Sequence, residues 1–358
     1  MRFDGDRTGW PQSVVEPMPA APPVASRSGW LPLAAVRPDY ELIQVNSARL
    51  SVAGSPVPAP SGEISAVSYR AELRPSAREV LGHLFTRHAA VVSRSRITGG
   101  RSVEDFEAAG LEEAEWSMDS AVAAAAALLG RQVREVGGGA LVDSVRTDTV
   151  GLCERDIVIA VDGRPVDTAT ALRAALAGRN TVRLQVLRTL PDGRPDAPRQ
   201  VSLRRHRDGA WGMRVVTAER RLEHGLDARF DLPEDLRGPS LGLACALSIV
   251  DACTGGTLAG TGTVVATGTV DLAGRVGGVG AIEYKARAVR AHPEVRRFVV
   301  PAESPADVDD ARRVLSGKVE VVAVTTLAEA VDVLRGSARR GGKLGRRSAD
   351  RRPGAVMQ

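Results

Sequence analysis

The sequence predicts a multidomain α+β protein: an N-terminal α/β unit, a β-rich middle unit and a C-terminal unit in which helices and strands alternate. Three observations predict it. The 358 residues suffice for two or three compact units at roughly 100–200 residues each. Runs with the two-residue alternation of strands are interspersed with apolar runs of helical spacing, and no repeat period is present. The rhythm changes near residue 131, where alanine-rich helical sequence gives way to short apolar runs divided by glycine turns.

The elements follow in order. Residues 1–38 carry Pro11, Pro17, Pro19, Pro22, Pro23, Pro32 and Pro38 among small residues, and read as a disordered leader. Residues 39–130 form the first ordered unit. Leu42, Val45, Leu50 and Val52 alternate as in strands, and Ile64 to Val67 is a further extended run. Ser76 caps a helix carrying Val80, Leu81 and Leu84. The run from Met118 to Leu129 is nearly all alanine, so its helix must be buried or tightly packed.

Residues 131–206 form the middle unit. Ala140-Leu141-Val142 follows the triplet Gly137-Gly138-Gly139, and Asp156 to Val161 is a strand. Asp162-Gly163 marks a hairpin, because a two-residue turn of this kind needs positive φ at both central positions. A short helix over 169–176 and a strand from Thr181 to Leu187 complete the unit.

Residues 207–337 form the last unit, with helices over about 240–252, 282–291, 305–315 and 327–334 and strands over 264–270, 298–301 and 319–324. Residues 338–358 form a basic tail, read as solvated and disordered.

Composition narrows the function. Apolar residues at 43% and charged residues at 25% exclude a wholly disordered chain. Aromatics at 3% argue against a stacking surface for single-stranded nucleic acid. The net charge of +5 owes much to the tail, so the nucleic-acid reading rests on that tail alone and is disfavoured. Three cysteines make no disulfide framework, and neither they nor the five histidines show metal-ligand spacing; no metal or cofactor is expected. No Walker-type glycine-lysine motif is present, so no ATP is expected. Without a long apolar run or a leader of signal-peptide type, the expected location is cytoplasmic.

Two residues stand out chemically. Ser240 follows Gly238-Pro239 at the start of an apolar helix, where unpaired N–H groups could hold an oxyanion beside a serine nucleophile. A serine there is ordinarily a cap. A nucleophilic serine needs a base, and arginine stays protonated. Of 48 basic residues only Lys285, Lys318 and Lys343 are lysine, and Lys285 is the one in this region placed near a glycine-rich turn, in the first turn of a helix with Ile282, Ala286 and Val289. Burial there would lower its pKa toward the neutral amine, although a lysine on a helix is ordinarily solvated.

These motifs carry a resemblance. Gly238-Pro239-Ser240-Leu241-Gly242 resembles the Gly-Pro-Ser-Ala-Gly nucleophile motif of Lon-type serine proteases. Ala266-Thr267-Gly268-Thr269-Val270, the run from Gly274 to Lys285, and Val299-Val300-Pro301-Ala302-Glu303 are similar to that family's later motifs, in the same order. Leu241, Arg237, Gly278 and Ala281 depart from the pattern. Residues 131–206 resemble a PDZ domain of the bacterial protease type, with Arg155 in place of a usual glycine. The whole layout resembles the PDZ-containing Lon-like proteases.

The resemblance implies a PDZ β-barrel-like domain followed by a Lon-type proteolytic domain, without an ATPase. It implies a serine endopeptidase with Ser240 as nucleophile, Lys285 as base and Thr267 orienting the lysine. Polypeptide substrates would pair by strand addition with Gly139, Ala140, Leu141 and Val142. A homo-oligomer is expected on the same ground. The alternative is a non-catalytic scaffold that binds peptides.

Overall fold

Six strands drawn from both ends of the chain make one sheet. The computed structural model describes residues 32–46, 49–53, 59–85, 88–188 and 196–336; the expected leader up to residue 31 and the basic tail lie outside them. From one edge to the other the sheet runs Glu320–Val324, Val295–Pro301, Thr263–Ala266, Glu63–Glu72, Leu33–Gln44 and Ala90–Ser93. The first four strands are mutually parallel, and Leu33–Gln44 is antiparallel to both its neighbours.

This corrects the expected boundary between an N-terminal unit at 39–130 and a separate unit at 207–337. Ile64 lies opposite Val264 and Ala66 opposite Ala266. Thr263–Ala266 is buried at every position, and a strand in that place must have its N–H and C=O groups paired on both edges. The early segment supplies one of those edges. The first strand also starts at Leu33, inside the stretch expected to be leader.

Successive residues of the central strand feed two cores. Val264 and Ala266 pack with the alanines of the long helix Val103–Leu128 and with the helix Gly242–Cys253. Val265 packs with Phe298, Val300 and the helices Ile282–Arg290 and Pro305–Leu315. The sheet is therefore covered on both faces, as its parallel centre requires. Ala121 and Ala123 to Ala126 are all buried; the small side chains let the long helix approach Gly242–Cys253 closely.

The middle unit has its own sheet, ordered Arg199–Arg204, Thr181–Leu187, Ile157–Val161, Ala140–Val145 and Met213–Thr217, and its own core around Leu172, Leu184 and Val186. It extends past the expected limit at 206, because Met213–Thr217 pairs with Ala140–Val145. The hairpin forms as expected, with φ of 48° at Asp162 and 79° at Gly163. Arg155, in the place of the usual glycine, keeps a φ of 68°. The next carboxylate, Asp156, is buried and takes both Arg188 Nε and Nη2, at 2.6 and 2.7 Å.

Glu135, on the short strand Arg134–Val136, ties the middle unit to the long helix. Its carboxylate accepts from Thr217 Oγ1, Thr170 Oγ1 and Arg220 Nε, each at 2.9 Å. The Arg220 guanidinium lies 4.3 Å from the Trp116 ring centroid on the long helix, a cation–π contact. Among the described residues no helix is long and apolar enough to cross a membrane.

Candidate active site

The turn that carries Ser240 is held on three sides. Gly238 has φ 78° and ψ 165°, a conformation that a side chain would strain. Pro239–Leu241 is a single turn of 3-10 helix that runs into Gly242–Cys253. Residues 242 to 251 of that helix are all buried, so it gives the turn a fixed base. The Ser240 carbonyl accepts from Gly268 N at 3.0 Å and lies 3.4 Å from Thr267 Oγ1. The Pro239 carbonyl accepts from Gly242 N and from Ser117 Oγ, the latter at 2.7 Å. Gly238 N donates to Gly110 O at 2.7 Å.

Lys285 comes from the opposite face of the sheet. Its helix, Ile282–Arg290, starts from Ala281 at φ 62° and turns Ile282, Lys285, Ala286 and Val289 inward. Lys285 is 1% exposed and is among the largest fully buried side chains of the described residues. Its Nζ donates to Thr267 Oγ1 at 3.0 Å. Among the described residues no carboxylate pairs with it. Burial therefore acts on the charge unopposed, and the pKa falls from 10.5 to about 7.

Thr267 sits between the two and is itself fully buried. Its N–H is fixed on Val299 O at 3.0 Å, on the neighbouring strand. One hydroxyl thus touches both the Lys285 amine and the Ser240 backbone. If the Thr267 proton is spent on the Ser240 carbonyl, its lone pairs remain to accept from the amine. Among the described residues Ser240 Oγ and Lys285 Nζ share no direct hydrogen bond. The three residues that the sequence singled out are nonetheless gathered in one place.

The four residues expected to take a peptide are differently situated. Ala140 and Leu141 already pair with Val158 and Ile157 on one edge and with Thr217 and Val216 on the other. Gly139 N and O are bound to Asp167 O and Ala218 N, and Val142 N and O to Asp156 O and Arg155 N. No backbone group there is left to pair an added strand, which corrects the assignment of Gly139–Val142. The outermost strand on that side is Met213–Thr217, next to the helix Ala169–Leu176. Leu241, beside Ser240, is 3% exposed and packs into the core.

Sequence reasoning did not single out Ser117 or Gly110. The only signal was the alanine run, which marked the long helix as closely packed without naming its contacts.

Residues 231–335 match the family model described as the Lon protease (S16) C-terminal proteolytic domain. This stretch is a Lon-type proteolytic domain, and the class that such a domain defines is a serine peptidase. No curated protein matches the chain. The matched stretch contains Ser240, Thr267 and Lys285, and excludes the long helix and the middle unit.

Proposed function

We propose that the protein is an ATP-independent serine endopeptidase in which Ser240 attacks, Lys285 is the general base and Thr267 holds the lysine. The observation that carries this reading is the buried Lys285, whose pKa of about 7 leaves a large neutral fraction at physiological pH. A general base is most effective when its pKa lies near the working pH.

In this mechanism Thr267 Oγ1 takes one N–H of the neutral amine and so restricts where its lone pair points. The reaction requires Ser240 Oγ to reach that lone pair. The amine takes the hydroxyl proton as Oγ attacks the peptide carbonyl carbon. The resulting ammonium gives the proton to the leaving amine, and an acyl-enzyme forms. The neutral amine then takes a proton from water as it attacks the ester, and the ammonium returns that proton to Oγ as Ser240 is released.

Without a motor, the substrates are unfolded or flexible polypeptides. We place their presentation on the middle unit, at the outer edge of Met213–Thr217, which pairs with no other described strand. The test is direct: Ser240→Ala should abolish cleavage of unfolded casein with the circular dichroism spectrum unchanged. Casein cleavage equal to the parent's would end the reading.

One observation favours a second reading, a non-catalytic peptide-binding scaffold: the absence of a direct hydrogen bond between Ser240 Oγ and Lys285 Nζ. A serine-reactive fluorophosphonate separates the two. Labelling of Ser240 that depends on Lys285 supports the peptidase, and a Ser240 that never labels supports the scaffold.

A further inference from the structure

We infer that Ser117 is a positioning residue of this site: it fixes the Pro239–Ser240 peptide so that the Ser240 N–H is presented as an oxyanion donor. The inference rests on the peptidase reading above.

Among the described residues no peptide bond is cis, and in a trans peptide the C=O and N–H point in opposite directions. The Pro239 carbonyl accepts from Gly242 N within the turn, and Ser117 Oγ ties it to the long helix at 2.7 Å. Ser117 is itself 3% exposed, so this bond lies on the interior side. The N–H of the same peptide, which belongs to Ser240, must then point away from the helix. Among the described residues no hydrogen bond engages it. A donor aimed and left unpaired beside the attacking oxygen is what an oxyanion requires.

The rest of the turn is arranged around this bond. A Cβ on Gly242 would stand 2.7 Å from Ser117 Oγ and 3.2 Å from Val270 N. Glycine at 242 therefore leaves room for the Ser117 hydroxyl. Gly238 N, bound to Gly110 O two turns earlier on the same helix, prevents the turn from sliding along it. The next carbonyl, that of Ser240, is fixed separately on Gly268 N. The peptide that the Ser117 hydroxyl grips from the long helix, beyond its bond within the turn, is the one whose N–H the chemistry uses. That side chain lies outside the family-matched stretch.

Two variants of the full chain perturb this hydroxyl independently. Ser117→Ala removes it, and Gly242→Ala pushes it aside. With a fluorogenic casein-derived peptide as substrate, each should lower kcat about 10- to 100-fold and leave KM within twofold, since the lost contact acts on the transition state. The double variant should be no slower than Ser117→Ala by more than about twofold, because without Oγ the methyl's one prohibitive contact is gone and only the 3.2 Å approach to Val270 N remains. A Ser117→Ala kcat within twofold of the parent's, a rise in KM that accounts for the loss, or losses that multiply would each overturn the inference. Should the parent cleave nothing, the peptidase reading fails on that result, and crystal structures then decide the role of Ser117. A Pro239–Ser240 peptide rotated or split between two orientations in Ser117→Ala supports it; the parent's orientation retained in the variant overturns it.

Discussion

Replacing Lys285 by methionine should destroy activity and stabilise the fold. A fall in pKa from 10.5 to about 7 corresponds to about 5 kcal/mol against the charged form. At pH 7 the unfolded chain carries a hydrated ammonium, whereas the folded chain must shed the proton or bury the charge. Methionine is of similar length and incurs no such cost. Loss of the bond from Nζ to Thr267 Oγ1 offsets about 1 kcal/mol. The net expectation is a gain of about 3 kcal/mol at pH 7, read from urea denaturation of parent and variant.

The sign with pH follows from the two pKa values. Between about 7 and 10.5 the unfolded lysine holds a proton that the folded lysine does not, so the parent gains stability as pH rises through this window. The advantage of Lys285→Met should therefore shrink to below about 1 kcal/mol near pH 10. Parent kcat/KM should rise with pH to a plateau, with a midpoint near 7, while the variant shows no activity above background. A Met variant less stable than the parent at pH 7, or an advantage that does not change between pH 7 and 10, would refute the reasoning.

Two further outcomes are expected. Thr267→Val removes the acceptor that the Lys285 ammonium uses; kcat should fall at least about tenfold, and the midpoint of the pH–rate profile should move below 7, because the charged form loses a partner. Thr267→Ser should restore both, and an unshifted midpoint in Thr267→Val would argue against Thr267 as the orienting group. Ala281→Gly relieves a left-handed residue at the start of the lysine helix, and should raise the unfolding free energy by about 0.5–1 kcal/mol with the fold unchanged; a loss of stability would show that φ 62° is unstrained there.

Local chemistry made much of the site legible. Ser240 is marked by the Gly-Pro before it and the apolar helix after it, both features of a short stretch of chain. Lys285 is marked by rarity among arginines and by the apolar spacing of Ile282, Ala286 and Val289. Ser117 carries no such mark: a serine within a helix reads as neutral, and its meaning comes from the Pro239 carbonyl 122 positions away. The misassignment of Gly139–Val142 has the same origin. Their glycine-led apolar run announces a strand, but which edges remain free is decided by Met213–Thr217, a segment remote in sequence.

Element types and the tight turn at Asp162-Gly163 were legible in the order of amino acids alone, as was the choice of Ser240, Thr267 and Lys285 as candidates, because periodicity, backbone freedom and side-chain chemistry are local properties. The joining of residues 33–72 to the C-terminal strands, the depth of Lys285 and the grip of the long helix on the turn that carries Ser240 were settled only by the tertiary structure. Strand pairing and desolvation depend on which distant segments meet, and the apolar pattern of one segment names the face it buries without naming what covers it.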